Sequence, residues 1–216
     1  MILHTQEKDF LLNNVFWQPT ENLNTKRLYD MINLYDGEIN YVDDKLAKLF
    51  KFLEKRFKKN CLVIITSDHG EGFYEHKFLN HGGYAYDELL KIPLFMVEMG
   101  NRNVAKSAHE LVQLIDIGPT ILDYFKIKIP DLFQGESLLP LLEGKSLERE
   151  RFVISESYRK NGRFIREKEK GFRIFSIRTQ KWKYILNEEE KKEYLFNLVE
   201  DPDELKNLIE KKPEIV

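Results

Sequence analysis

Hydrophobic residues in the first third of the chain follow a helical repeat. Between Thr25 and about Lys58 they recur at intervals of about three or four residues, which is typical of an amphipathic helix. These positions are Leu28, Ile32, Tyr35, Ile39, Val42, Leu46, Leu49, Phe50, Leu53 and Phe57. Gly37 interrupts the series with a residue of poor helix propensity. The pattern therefore predicts one long helix, or one that is broken near Gly37.

The helical repeat is followed by a short apolar run, rich in β-branched residues, at positions 62–65. Such a run is typical of a strand that is covered on both faces of a parallel sheet. A second apolar run at residues 92–97 predicts the next strand, with Pro93 tolerated near its start. A helix followed by buried strands indicates a parallel α/β unit in which the first strand lies centrally.

The second half of the chain predicts a helix, a linker and a separate set of strands. Residues 107–125 have helical apolar spacing, and Pro119 suits the first turn of a new helix that begins near Asp116 or Ile117. Glycine, proline and charged residues mark residues 130–151 as a linker. Antiparallel strands at residues 152–158, 172–178 and 183–186 and a helix at residues 203–210 are predicted beyond it. We therefore expect two domains, residues 1–145 and 146–216.

Polar chemistry concentrates in the loop that follows the first strand. Three of the five histidines, His69, His76 and His81, lie in this loop, and Asp68 stands directly after the strand. Ligands of open α/β sheets bind where strands end. A carboxylate oxygen beside an imidazole nitrogen suits a divalent cation. The alternative is that Asp68 caps a helix and the histidines are ordinary surface residues; the strand context and the density of histidines favour a site.

Composition narrows the possible functions. The chain has 34 basic and 36 acidic residues and a net charge of −2, so it lacks the basic field of a nucleic-acid-binding protein. A single cysteine, Cys61, excludes an internal disulfide framework. The sequence contains neither an apolar run of about 20 residues nor a secretory signal pattern. We therefore expect a cytoplasmic protein that does not associate with membranes.

Several motifs of the sequence, taken together and in order, resemble a known family. The string TSDHGE at residues 66–71, followed by EH at 75–76, HG at 81–82 and YDELLKIPL at 86–94, resembles the C-terminal half of the sulfatase family, within the alkaline phosphatase superfamily. Further segments resemble the family in the same order, at residues 114–122, 135–142, 176–184 and 194–204. The resemblance implies part of an alkaline-phosphatase-like, mostly parallel sheet flanked by helices, with a small C-terminal antiparallel sheet.

The resemblance also implies roles for residues of the loop. Asp68 and His69 occupy metal-ligand positions, with calcium as the implied ion and magnesium, manganese or zinc as alternatives. His81 stands where sulfatases place a Lys or His that contacts the transferred group and protonates the leaving oxygen, and Lys77 is a second candidate for binding the substrate. Glu75 and His76 are expected to line the mouth of the site. The implied substrate is a sulfate or phosphate ester.

One part of the family pattern is missing. The Cys/Ser-x-Pro-x-Arg motif that carries the nucleophile does not occur, and Cys61 is expected to be a small core residue. His4 lies in a stretch, residues 1–5, that resembles a strand before another family loop, but a strand-end or core role is expected for it. Three interpretations remain: the C-terminal portion of a sulfatase, a phosphoesterase or phosphotransferase of the same superfamily, or a non-catalytic interaction module. An N-terminal polypeptide or a second copy is the expected partner, because the first strand would otherwise form a sheet edge.

Overall fold

The computed structural model describes residues 23–57, 61–100, 107–147, 150–159, 172–188 and 190–216 of the 216-residue chain. They divide into two compact units. One contains the described residues up to His81 together with residues 93–100, and the other contains residues 82–92 and the described residues from Ser107 onward. His4 and the strand predicted at residues 1–5 lie outside the described residues. The predicted domain boundary at residue 145 stays a prediction.

The first element is a single long helix, α1 (Thr25–Arg56). Asn24 caps its start, because its side-chain oxygen accepts a hydrogen bond from the Arg27 backbone N–H at 2.9 Å. The helix continues through Gly37 without a break, which decides between the two predicted forms. Of its residues only Met31 is fully buried, so most of the apolar positions of the repeat remain accessible to solvent.

The second element of this unit is the strand β1 (Leu62–Thr66), which pairs with the strand β4 (Leu94–Glu98). The pairing is antiparallel, so the parallel unit indicated by the helix–strand pattern does not extend to this pair, although a mostly parallel sheet can include an antiparallel strand. A short apolar run indicates burial but carries no information on strand direction. The apolar residues of β1 are half-buried rather than fully buried, and on β4 Phe95 and Val97 are 61% and 39% exposed. Val97 pairs with Val63 in the register.

Between these strands lie a small hairpin and a one-turn helix. The hairpin consists of β2 (Gly72–Phe73) and β3 (Leu79–Asn80), and the helix is α2 (Asp87–Leu90). The Tyr35 ring of α1 meets the Phe73 ring edge to face, with 5.1 Å between the ring centroids. The hairpin is therefore packed against the long helix.

The predicted helix at residues 107–125 is shorter than expected. Residues 107–113 are not helical; a 3₁₀ turn, Leu114–Asp116, leads into α3 (Ile117–Tyr124), which has Pro119 in its first turn as predicted. The Asp116 carboxylate accepts a hydrogen bond from the Gln113 backbone N–H at 2.8 Å, which fixes the start of this turn. A further short helix, α4 (Leu139–Leu142), lies within the predicted linker.

The last part of the chain forms an antiparallel sheet. Its order is β5 (Val153–Arg159), β6 (Phe172–Arg178), β7 (Trp182–Asn187) and β8 (Lys192–Asn197). The first three strands confirm the prediction, whereas β8 was not predicted. Ala85, Ile174, Ile185, Phe196 and Leu198 form a buried apolar cluster against this sheet.

The helix predicted at residues 203–210 does not form. Glu204 has a φ of 54°, which is incompatible with a helical residue. The Asn207 side chain instead bonds β8, accepting from the Leu195 N–H and donating to the Glu193 carbonyl, both at 3.0 Å. The Leu208 N–H also donates to the Leu195 carbonyl at 2.8 Å, so the segment follows β8 without forming a helix. No helix of the described residues has the length and apolar character needed to cross a bilayer; the cytoplasmic location stays a prediction.

Candidate active site

The candidate site is the loop that runs from the end of β1 to the end of the β2–β3 hairpin. In the hairpin register Gly72 pairs with Asn80, so the next residues outward, Glu71 and His81, face each other at its base. Gly72 allows this closure because a Cβ there would lie 2.3 Å from the Phe78 ring. The hairpin thus places His81 beside the residues that immediately follow β1.

Asp68 and His69 present two donors that face one another. The Asp68 Oδ1 accepts a hydrogen bond from the His69 backbone N–H at 3.1 Å, while its Oδ2 lies 3.6 Å from His69 Nε2. His69 Nδ1 lies 2.8 Å from the Gly70 carbonyl oxygen, which can only accept, so Nδ1 carries the proton and Nε2 is left as a donor to metal. Two ligands of one tetrahedral cation lie about 3.4 Å apart, so this separation suits a shared ion.

The imidazole of His81 lies against that of His69. The two rings stack with centroids 4.1 Å apart and an angle of 20° between their planes. His81 Nδ1 lies 3.1 Å from Glu71 Oε2. The structure therefore brings together the two predicted metal ligands and the predicted catalytic histidine, and it adds Glu71, whose role the sequence alone did not indicate.

Lys77 occupies a different place in the loop. It lies in the exposed turn of the hairpin with a φ of 64°, whereas His81 lies at the hairpin base. Glu75 Oε2 accepts a hydrogen bond from the Phe73 N–H at 2.6 Å and so closes the turn. Lys77 and His81 are therefore separated along the hairpin rather than adjacent, and the role of Lys77 in substrate binding stays a prediction.

Solvent reaches all three predicted groups. The side chains of Asp68, His69 and His81 are 86%, 42% and 49% exposed, and that of Glu71 is 20% exposed. Among the described residues no group of three or more His, Cys, Asp or Glu side chains converges as a complete metal site. The carboxylate of Asp68 and the imidazole of His69 have the right chemistry for a divalent cation, so they fit as part of a ligand set.

A second cluster of charges lies in the other compact unit and is largely buried. Lys183, fully buried, lies 2.8 Å from Asp87 and 2.7 Å from Glu204, and Arg178 also donates to Asp87. The Asp87 N–H donates to Glu204 at 2.6 Å. These residues belong to the segments that resemble the family, at 86–94, 176–184 and 194–204. The resemblance therefore pointed to these segments, but no pattern in the sequence indicated a role for the four residues.

The two carboxyl groups of this cluster respond differently to burial. Burial alone would raise the pKa of Asp87, but the positive charges of Lys183 and Arg178 outweigh it and hold this pKa below its usual value. Burial raises the pKa of Glu204, and Lys183 offsets this only in part. Burial also raises the pKa of the neighbouring Tyr86 hydroxyl well above its ordinary value.

Asp116, another residue of a family-like segment, has a structural role. It is completely buried, and its two carboxylate oxygens accept from the Arg151 guanidinium at 2.7 and 2.9 Å. It also accepts from the Glu136 N–H at 2.9 Å. The arrangement joins the start of α3 to the segment before β5, as expected for a residue that is structural rather than catalytic.

Comparisons with known proteins identify the family. The sequence profile of the family described as Sulfatase matches residues 3–127, and that described as N-sulphoglucosamine sulphohydrolase, C-terminal, matches residues 71–215. The chain belongs to the sulfatase family, within the alkaline phosphatase superfamily. Its α/β fold with a small C-terminal antiparallel sheet is that of these proteins.

Individual relatives agree with this assignment. The chain is 38% identical, over 51% of its length, to the multifunctional alkaline phosphatase superfamily protein PehA of Trinickia caryophylli, covering 22% of that protein. It is 28% identical to an arylsulfatase of Clostridium perfringens, covering 78% of the chain and 36% of the relative. The structure of the phosphonate monoester hydrolase of Agrobacterium radiobacter superposes with a TM-score of 0.74 at 24% identity, covering 90% of this chain and 40% of that one. The chain thus spans well under half the length of each.

Proposed function

We propose that the chain supplies the metal-binding and leaving-group side of a sulfatase active site that hydrolyses sulfate esters. One observation supports this above the others: the His69 and His81 rings stack at 4.1 Å beside Asp68. The groups expected to bind the metal and to assist the leaving oxygen are thus neighbours, although they are 12 residues apart in sequence.

Each residue has a defined part in the proposal. Asp68 and His69 Nε2 would hold a divalent cation, which when bound withdraws charge from the oxygens of the ester. Calcium is expected from the resemblance, and the imidazole donor suits manganese or zinc equally well. His81 would stabilise the charge that develops on the leaving oxygen and help to protonate it. Lys77 would meet the anionic substrate from the hairpin turn.

The nucleophile would come from another stretch of polypeptide, since these 216 residues lack the family motif. We propose that this polypeptide docks on the exposed face of the β1–β4 pair, where Phe95 and Val97 are 61% and 39% exposed. A pair of strands is rarely stable alone in water, and an apolar face requires a covering layer. We also propose that the protein formed by this chain and the nucleophile-bearing polypeptide is cytoplasmic.

Calorimetric titration of the purified chain with calcium, manganese and zinc tests the metal assignment. We expect weak binding, with a Kd of roughly millimolar, because only part of the ligand set is present. Asp68→Asn should abolish the binding, whereas Asp43→Asn, which removes an exposed carboxylate of α1, should leave it unchanged. Tight binding that survives Asp68→Asn would place the cation elsewhere.

Complementation tests the activity. The chain alone should not turn over an aryl sulfate, because the covalent route needs the missing nucleophile. Coexpression with the nucleophile-bearing portion of a sulfatase should restore turnover, and His81→Ala should then lower kcat about 10²- to 10⁴-fold. The control His109→Ala, at an exposed histidine of the other unit, should have no effect. Turnover by the isolated chain would contradict the proposal.

Hydrolysis of a phosphate or phosphonate ester is the second candidate, and the fold similarity to the phosphonate monoester hydrolase favours it. Aryl sulfate and aryl phosphonate with the same leaving group should be compared in the complemented protein, because the ratio of kcat/KM values separates the two reactions. A complex that forms but turns over neither ester would identify a non-catalytic module.

Sedimentation tests the docking face. We expect the chain to form a self-associated oligomer when expressed alone and to become a defined complex with the complementing polypeptide. Val97→Glu, on the exposed face, should weaken that complex, whereas Glu98→Gln on the same strand should not. A monomer that melts cooperatively and gains no stability from the partner would contradict the docking proposal.

A further inference from the structure

Glu71 occupies a position that the hairpin register determines. Because Gly72 pairs with Asn80, Glu71 and His81 are opposite each other at the hairpin base, and Glu71 Oε2 lies 3.1 Å from His81 Nδ1. The Glu71 side chain is only 20% exposed. The contact is therefore partly shielded from water, which strengthens a hydrogen bond to a charged acceptor.

The chemistry of this contact fixes the direction of the hydrogen bond. An ionised carboxylate has only acceptor atoms, so the proton of a neutral His81 must reside on Nδ1. The remaining nitrogen, Nε2, is then the atom left to face the substrate, and it is the atom that would carry the second proton of the ring and give it to the leaving oxygen. The proton of a neutral His69 also resides on Nδ1, in this case because Nδ1 lies 2.8 Å from the Gly70 carbonyl oxygen, which can only accept.

We propose that Glu71 is a positioning residue, which holds His81 as the Nδ1–H tautomer and fixes the orientation of its ring. This inference rests on the proposed role of His81 in the reaction. Removal of Glu71 would free the ring to rotate and to move its proton to Nε2. The ring nitrogen that meets the leaving oxygen would then no longer be fixed.

Histidine side-chain NMR on the full chain tests this directly. Long-range ¹H–¹⁵N spectra, recorded at alkaline pH with a chelator so that the rings are free of metal, report which nitrogen of each ring carries the proton. We expect wild-type His81 to be predominantly Nδ1–H, Glu71→Ala to change it to predominantly Nε2–H, and Glu71→Gln to retain Nδ1–H, because the amide oxygen still accepts. His81→Gln assigns the signal.

Two controls separate positioning from damage to the hairpin. Glu75→Ala removes the hydrogen bond to the Phe73 N–H but makes no contact with the imidazole, so the His81 tautomer should not change. His69, whose Nδ1 is held by a backbone carbonyl, should keep its tautomer in every variant. Wild-type His81 in the Nε2–H form, or Nδ1–H retained in Glu71→Ala, would overturn the proposal. The spectra need no turnover, so this result is independent of whether the completed protein is a sulfatase.

Discussion

The site loop and the buried cluster around Lys183 both contain charged and titratable side chains, but solvent reaches the two to very different extents. In the loop, Asp68 is 86% exposed and both histidines are about half exposed. In the cluster, Lys183 is completely buried and Glu204 is 1% exposed. Both lie in segments that resemble the sulfatase family. Sequence similarity alone therefore does not separate residues proposed to take part in a reaction from residues that hold the fold.

The difference lies in whether each charge already has a partner. In the cluster, the two cations Lys183 and Arg178 balance the two carboxylates Asp87 and Glu204 at hydrogen-bond distance. A buried charge of this kind is tolerated only while its partner remains. In the loop, Asp68 and His69 Nε2 stand 3.6 Å apart, too far for a hydrogen bond and close enough to share a cation. Two solvent-exposed donor atoms can exchange water for a ligand. A largely buried cluster whose charges are already paired with one another cannot.

Replacement of Lys183 by Met gives the largest expected effect. It leaves Asp87 and Glu204 buried with one cation fewer, so we expect a loss of about 3–5 kcal/mol in the free energy of unfolding, measured by urea denaturation. The control Lys192→Met, at an exposed lysine that pairs with Glu190 on the surface, should leave the urea midpoint unchanged. Equal effects of the two variants would mean that the cluster does not depend on its buried cation.

The Arg151→Lys substitution should have a smaller but clear effect. The Arg151 guanidinium holds both oxygens of the buried Asp116 and the Leu111 carbonyl, and an ammonium group cannot reproduce this planar arrangement. We expect a loss of about 2 kcal/mol in urea denaturation. Arg173→Lys, at a solvent-exposed pair with Glu156, is the matched control and should be nearly neutral. An unchanged midpoint for Arg151→Lys would show that charge alone suffices at this site.

The sequence predicted local structure well where one pattern dominated. The helical repeat located α1, and alternation located β5, β6 and β7. The direction of the β1–β4 pairing was not predictable, because an apolar run specifies burial and not orientation. The helix expected at residues 203–210 was wrong because Asn207 binds the edge of β8, a tertiary contact that overrides local propensity.

The site was predictable in part for a similar reason. Asp68, His69 and His81 were nominated because they stand in a short histidine-rich loop that resembles one of the sulfatase family, and the structure places the two histidines in contact. Glu71 was missed because its contact with His81 depends on hairpin register, which is set by the pairing of Gly72 with Asn80. The buried cluster was missed because its members are distributed between residues 87 and 204.

The pH dependence of stability offers a finer test of the buried cluster. Burial raises the folded-state pKa of Glu204 above its ordinary value of 4.5, so ionised Glu204 is unfavourable in the fold, and stability should rise slightly as the pH falls from neutral through that pKa. Burial opposes the ionisation of Asp87, but Lys183 and Arg178 lower its folded-state pKa below 3.8, so its contribution is lost as the pH falls through that lower value. In thermal melts across this pH range, wild type should show the rise in stability and Glu204→Gln should not, whereas the loss of stability at lower pH should occur in both. An identical rise in both proteins would contradict the assignment of the raised pKa to Glu204.

Asp68→Asn should have the smallest effect on the stability of the metal-free chain, and for that reason it sharpens the contrast between the two regions most. The carboxylate is 86% exposed, so its removal uncovers no buried charge, and the melting temperature with a chelator should match that of wild type. Added cation stabilises a folded chain that binds it, by about 1.4 kcal/mol at a concentration ten times the Kd. Wild type should therefore gain stability from manganese or calcium while Asp68→Asn gains none. A variant that is already destabilised without metal would mean that Asp68 holds the loop together, as the residues of the buried cluster hold theirs.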